Sequence, residues 1–321
     1  MTFEFIPEEL VRSFADWRYA LGYGSDEDLS TLSSFDSYCA RERPGSCEIT
    51  QEMVDEWCAP RPTEKDANST RARIYPVVRF VRYLRARGLS DLRDPEIPRA
   101  VPSAYVPHAF TDEELSAFFA ACDDWPMGMG RPSNRNLKIT VPVFFRLLYS
   151  SGIRTTEARL LGRGDVDLES GVLDIRRSKG RHQHFVVLHD SMLELMRRYD
   201  SAIAGMYPDR AYFFPKNVEE GRTADWVCRV FNEAWARVGA GRATAYELRH
   251  NYAIENINSW VGMGFDFHDK LVYLSKSMGH CDLENTKRYY ALAPALSDVL
   301  DDRSGRGFDD IVPEVRHEET C

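Results

Sequence analysis

The sequence predicts a mainly α protein with a small β-sheet, arranged as two domains. Three observations carry that prediction. Apolar residues recur at helical spacing through most of the 321-residue chain. Residues 88–110 hold four prolines and no helical period, which separates two helical blocks. Val172–Ile175 and Phe185–Leu188 are short strand-like runs on either side of the polar turn RRSKGRH, the pattern of a β-hairpin.

Taken in order, residues 7–21 place Leu10, Val11, Phe14, Trp17 and Leu21 on one helical face, with Pro7 suited to a first turn. Gly22 and Gly24 break that helix. Asp26–Cys39 resumes it through Leu29, Leu32, Phe35 and Tyr38, and RPG ends it. Thr50 is placed to cap the short helix QEMVDEWC, which Pro60 and Pro62 stop. A longer helix around Ser69–Arg87 sets Ile74, Val77, Val78, Val81 and Leu84 on one face and arginines on the other. Those arginines (Arg71, Arg73, Arg79 and Arg82) form either a solvated face or a surface for phosphate oxygens, which guanidinium forks match. After the proline-rich segment, Thr111 and Glu114 make a capping box for a new helix. A Gly/Pro/Asn-rich loop over Trp125–Asn136 leads into an apolar helix ending at Ser150, Ser151 and Gly152. Thr155–Leu161 is helical, the hairpin follows, and Ser191–Ile203, Ala224–Val238, Tyr246–Asn258 and Lys270–Met278 are further helices. The expected divisions are residues 1–90, a linker over 91–110, a second domain over 111–292 and a tail over 293–321.

Apolar content of 43% and charged content of 28% fit an ordinary soluble protein with real cores. The best membrane candidate, Ile139–Tyr149, is short and contains Pro142 and Arg146. The acidic N-terminus lacks the pattern of an export signal, and seven cysteines without paired spacing fit a reducing cytoplasm rather than disulfides or a metal site. The net charge of −9 argues against nucleic acid, but its distribution argues the other way. Residues 1–70 carry fifteen acids and six bases, whereas 71–99 carry eight arginines and three acids, and 131–181 carry eleven Lys/Arg and five acids. Phosphate binding depends on local basic surface, not on the whole-chain sum.

Chemistry concentrates near the end of the chain, in MGHCDLENTKRYY. Tyr289 stands nine residues after His280. A tyrosine hydroxyl is a weak nucleophile at its usual pKa of ~10, so it needs a proton acceptor and a cationic pocket for an electron-rich target. Arg154, Lys179 and Arg249 supply cations upstream. Each alone has a plainer role: Arg154 as a helix cap, Lys179 as a solvated turn lysine, Arg249 as a partner of Glu247 or Glu255. Together, SGIRTTEARLL, SKGRHQHFVVL, YELRHNYAI and MGHCDLENTKRYY resemble, in order and spacing, the motifs of the tyrosine recombinase family of phage-integrase and Xer type. The resemblance runs from about Thr111 to Leu292 and extends more loosely to the N-terminal half.

That resemblance implies a helical core-binding domain followed by a mixed α/β catalytic domain, and an enzyme that cuts and rejoins DNA at specific sites. Arg154 and Arg249 would grip the phosphate, Tyr289 would attack it, Lys179 would protonate the departing 5′ oxygen, and His280 would hydrogen-bond the phosphate or help move protons. Glu157 would orient the site, and Arg181 would join the α-helical arginines in binding DNA. No metal or cofactor is implied, because the covalent link stores the bond energy. The implied partners are double-stranded DNA, further copies of the chain (a tetramer on two sites, a monomer or dimer when free) and accessory recombination proteins; a membrane is not among them. The implied location is the cytoplasm, on the nucleoid when DNA is bound. Leu292, Leu296, Val299 and Leu300 would form a helix that either docks on a neighbouring subunit or folds back on its own domain.

Two departures from the family pattern stand out. Tyr246 occupies the first position of a motif that usually reads His-x-x-Arg, and a phenol is a poor base near neutral pH. The segment between Arg249 and His280 is long, as in recombinases of integrative and transposable elements. The competing readings are a type IB topoisomerase, a sequence-specific DNA-binding protein with a decayed site, and a globular protein with no nucleic-acid role.

Overall fold

The computed structural model describes residues 3–23, 26–102, 107–126, 132–176, 183–239, 241–260, 267–280, 282–287 and 289. The chain divides into two compact units, the first ending at Tyr105 and the second running from Val106.

The first unit contains α1 (Glu8–Ala20), α2 (Asp26–Glu42), α3 (Gln51–Cys58) and α4 (Ala67–Ala86). Its core is built on α4, whose Ile74, Val77, Val78, Phe80 and Val81 are fully buried, as the apolar period predicts. Phe14 of α1 meets Phe80 and Tyr83 edge-on, with ring centroids 5.3 and 5.4 Å apart. The chain start is tied down by Asp36, whose carboxylate accepts from the backbone N–H groups of Glu4, Phe5 and Ile6. Thr50 caps α3 through the Met53 N–H, and Asp66 caps α4 through that of Ser69.

The α4 arginines have partners within this unit. Arg71 donates to the Pro98 carbonyl at 2.6 Å and to the Tyr75 hydroxyl at 2.8 Å. Arg73 joins Glu64 to the carbonyls of Trp57 and Ala59, where α3 ends. Arg79 forks onto Asp28, a buried carboxylate that also takes Arg18. Arg82 pairs with Asp94 at 2.7 Å. The segment from residue 91, expected as a linker, forms neither helix nor strand but is held against the helices through residue 101. Leu92 is buried, Gln51 pairs with the Arg93 backbone, and Asn68 does the same for Val101.

The second unit contains α5 (Asp112–Asp123), α6 (Pro132–Ser151), α7 (Thr155–Arg159), β1 (Val166–Asp167), β2 (Val172–Ile175), β3 (His184–Val187), α8 (Asp190–Ala204), α9 (Ala224–Trp235), α10 (Glu247–Trp260), α11 (Phe267–Ser277) and α12 (Glu284–Lys287). The three strands form an antiparallel sheet in the order β1-β2-β3, with Leu173 opposite both Val166 and Val186. A mainly α fold with a small sheet is what the sequence predicts. The hairpin strands match their predicted limits within a residue, whereas the two-residue β1 is too short to carry a period. Helix α6 packs against α5, α8 and α10, and Phe118, Phe144, Phe145, Phe213, Phe214 and Phe231 fill the core around it. It starts at Pro132, inside the stretch read as a loop. Pro suits a first helical position, and buried Asn136 anchors the turn by donating to the Pro215 carbonyl at 3.0 Å and accepting from Thr140 at 2.7 Å. A separate small core joins Ala253 and Ile257 of α10, Leu274 of α11, Met278 and Tyr289.

Candidate active site

Four parts of the second unit converge on one buried polar cluster: the start of α7, the first turns of α10, the turn after α11 and Tyr289, two residues past the end of α12. Arg154 sits at the N-cap of α7, with Glu157 as the third residue of that helix. The Glu157 carboxylate is 2% exposed; it accepts from the Arg154 backbone N–H at 2.7 Å and from its guanidinium at 2.6 Å. Holding Arg154 at both ends fixes the direction of its fork. The remaining guanidinium arm donates to the Gly279 carbonyl at 2.9 Å.

Arg249 lies in the first turn of α10 and is 1% exposed. It donates through Nη1 to the Gly152 carbonyl at 2.6 Å, and through Nη2 to the Met278 carbonyl at 2.7 Å and to His280 Nε2 at 2.9 Å. Its Nε–H is buried and has no hydrogen-bond partner among the described residues. Burial, and then the charge of Arg154, push its pKa down, yet an arginine keeps its proton at any physiological pH. A buried cation whose partners are two carbonyls and an imidazole is costly unless it awaits an anion.

Two glycines make these carbonyls available. Gly152 (φ +63°) and Gly279 (φ +63°) both lie in the left-handed region, and each is crowded where a side chain would start. A Cβ on Gly152 would fall 2.2 Å from the Tyr252 ring, and one on Gly279 would fall 2.5 Å from His184. Only glycine lets the backbone turn there and aim its oxygen at a guanidinium.

His280 is half-buried between the two arginines. Arg249 can only donate, so His280 Nε2 is the acceptor, and the ring proton on Nδ1 goes to Thr286 Oγ1 at 2.7 Å. Burial, with Arg249 and Arg154 nearby, pulls its pKa down to about 4, so the ring is neutral at physiological pH. Tyr289 is 6% exposed, its ring stacked on that of His280 with 6.4 Å between centroids. Its hydroxyl lies 3.1 Å from His250 Nδ1. Burial raises its pKa, opposed by the positive charge of Arg249.

Of the residues read from the sequence, Arg154, Glu157, Arg249, His280 and Tyr289 are brought together. Tyr246 stands at the rim, 41% exposed, with its ring edge-on to His250 at 5.0 Å between centroids. Lys179, Arg181 and the tail from residue 291 lie outside the described residues, as does Tyr290. Sequence reasoning missed His250, Thr286 and the two glycines. His250 adjoins Arg249 in YELRHNYAI, and only the folded position of Tyr289, 39 residues later, reveals why it matters.

Comparison with known proteins defines the class first: the chain is a tyrosine recombinase, an enzyme that breaks and rejoins DNA strands. It belongs to the phage integrase family, whose model matches residues 109–295. The resemblance carried by the four motifs is thus borne out. The chain is 26% identical over 293 residues to y4rE of Sinorhizobium fredii, which carries an integrase/recombinase name, covering 88% of this chain and 90% of that one. It is 25% identical over 208 residues to tyrosine recombinase XerD of Neisseria meningitidis, covering 63% of this chain and 62% of that relative. In fold it is similar to the XerH site-specific recombinase bound to palindromic difH substrate, with a TM-score of 0.60 at 18% identity over 92% of this chain and 83% of the other.

Proposed function

We propose that the chain cuts and rejoins double-stranded DNA through a 3′-phosphotyrosyl intermediate, as the recombinase of an integrative or transposable element. The observation that carries this reading is Arg249: a buried cation whose Nε–H has no partner among the described residues, set beside a second arginine and a buried tyrosine. A phosphate entering this cluster would take its non-bridging oxygens to Arg154 and Arg249, which would also stabilise the charge that builds in the pentavalent transition state. Tyr289 Oη would attack phosphorus, the P–O5′ bond would break, and the 5′ oxygen would receive a proton from Lys179. His280, neutral and with both ring nitrogens engaged by Arg249 and Thr286, would hold the Arg249 guanidinium in place for that phosphate and not bond the phosphate itself. Religation reverses these steps with a different 5′-hydroxyl.

Joining two duplexes breaks four strands. With one such tyrosine per chain, the working assembly is four copies on two DNA sites, and accessory proteins would act on that assembly. The long segment between Arg249 and His280 supports assignment to a mobile element. The test is a nicked suicide duplex carrying the DNA that flanks the gene. The unaltered chain forms a covalent protein–DNA adduct, and Tyr289→Phe binds the same DNA without one. An adduct that persists in Tyr289→Phe and disappears in Tyr290→Phe overturns the choice of nucleophile. Tight binding with no adduct from the unaltered chain favours the decayed-site reading.

A further inference from the structure

We infer that His250 is the catalytic residue that takes the Tyr289 proton during strand cleavage, so that the work expected of position 246 is done one helical turn later. The inference rests on Tyr289 being the nucleophile. Three observations carry it. First, His250 Nδ1 lies 3.1 Å from the Tyr289 hydroxyl, within the reach of proton transfer. With the ring neutral and its proton on Nε2, the phenol donates and Nδ1 accepts, which is the direction deprotonation requires.

Second, the other histidine beside Tyr289 has no nitrogen to offer. His280 accepts from Arg249 at Nε2 and donates to Thr286 from Nδ1, and it meets the tyrosine only through its ring face, the two planes 15° apart. Third, Tyr246, the residue just before α10, and His250 in its first turn are four positions apart, and their rings pack edge-to-face at 76°. Where the family motif sets an imidazole at the first position, this chain sets a phenol against the ring of His250, and the imidazole that touches the nucleophile comes from the next turn.

The step balances without any further reactant beyond the DNA. The Tyr289 O–H bond breaks and its proton passes to His250 Nδ1, leaving an imidazolium. The phenolate pair forms the O–P bond, and the P–O5′ pair leaves with the 5′ oxygen, which is protonated separately. On religation the imidazolium returns its proton to the departing tyrosine. The positive charge of Arg249, which opposes the upward push of burial on the Tyr289 hydroxyl, stabilises the same phenolate.

The experiment is single-turnover adduct formation by the full chain on the nicked suicide duplex. His250→Ala should bind DNA as the unaltered chain does and form adduct about a hundredfold more slowly or worse. Added imidazole should restore part of that rate in His250→Ala and none in Tyr289→Phe. His250→Gln preserves a hydrogen-bond acceptor that cannot hold a proton at neutral pH, and should be as slow as His250→Ala. It keeps the test open if the alanine variant fails to fold. A His250→Gln rate equal to that of the unaltered chain would reduce His250 to a positioning residue. Adduct formation by His250→Ala at or above the unaltered rate would make the contact a resting-state latch instead. Either result overturns the inference while loss of the adduct in Tyr289→Phe still stands. An adduct surviving in Tyr289→Phe would remove the nucleophile itself and the inference with it.

Discussion

At the scale of the residue, His280 shows how an environment sets what a side chain can do. An imidazole in water is half protonated near pH 6.5. Burial beside two guanidinium groups lowers that to about 4, which keeps Nε2 available as an acceptor for Arg249. The same shift is a statement about stability. A histidine whose folded pKa lies below its unfolded value leaves the unfolded chain binding more protons between those limits. Its contribution is whole above about pH 6.5 and is lost as pH falls through the window toward about 4. The melting temperature of the second unit should therefore fall across that window by an amount that shrinks in His280→Gln. The loss is on the order of 1–3 kcal/mol once water's access to the half-buried ring is allowed for. Thermal melts of both proteins from pH 7 to pH 4 measure it, and parallel curves would refute it. The cations and the tyrosine of this cluster were legible in the sequence because motif order and spacing mark them. Its hydrogen-bond partners were not. Thr286 and Gly279 are ordinary residues until the fold brings one to His280 and the carbonyl of the other to Arg154.

At the scale of the element, most helices were readable because their apolar faces repeat, and caps such as Thr50 and Thr111 mark where they start. What escaped has no period. Helix α6 begins within a Gly/Pro/Asn-rich stretch because Asn136 finds buried partners from distant parts of the chain, Pro215 and Arg222. Helices α7 and α12 span only five and four residues, and their ends matter more than their bodies. The turn after α11 illustrates this. Gly279 takes φ +63°, points its carbonyl at Arg154 and leaves no room for a Cβ beside His184. Gly279→Ala should cost about 1–3 kcal/mol from the backbone alone, with the steric conflict adding to it. It should also slow adduct formation by more than it weakens DNA binding, because the displaced turn carries both His280 and the Arg154 contact. Chemical denaturation and single-turnover cleavage of one preparation test the two halves together. A variant as stable and active as its parent would show that the turn does not hold the site.

At the scale of the whole molecule, a protein of net charge −9 has to hold a polyanion, and the place where its arginines are spent decides how. Helix α4 looks in sequence like a basic surface, yet its arginines differ in what they can give up. The Arg73 side chain is 15% exposed and bound to Glu64 and two carbonyls, and it holds the Glu64 carboxyl well below the usual carboxylate range. Breaking that arrangement strands a largely buried carboxylate, a loss of about 3 kcal/mol or more. The Arg82 side chain is 50% exposed and pairs with Asp94, a surface ion pair worth about 0–1 kcal/mol. Arg82 can therefore exchange its carboxylate for a phosphate at little cost, and Arg73 cannot. Each phosphate neutralised releases counterions, so the slope of log affinity against log salt falls by about 0.9 for every such contact removed. The unaltered chain should bind its DNA site steeply more weakly between low and physiological salt despite its acidity. Arg82→Ala should shallow that slope by about one while leaving stability nearly unchanged. Arg73→Ala should leave the slope alone and destabilise the first unit. Salt titrations of the three proteins on one duplex, with denaturant melts alongside, measure both quantities. Should Arg73→Ala shallow the slope as Arg82→Ala does, the arginine that closes the end of α3 would be a phosphate ligand after all. A slope near zero for the unaltered chain would mean that the basic stretches of this sequence serve its fold and not its DNA.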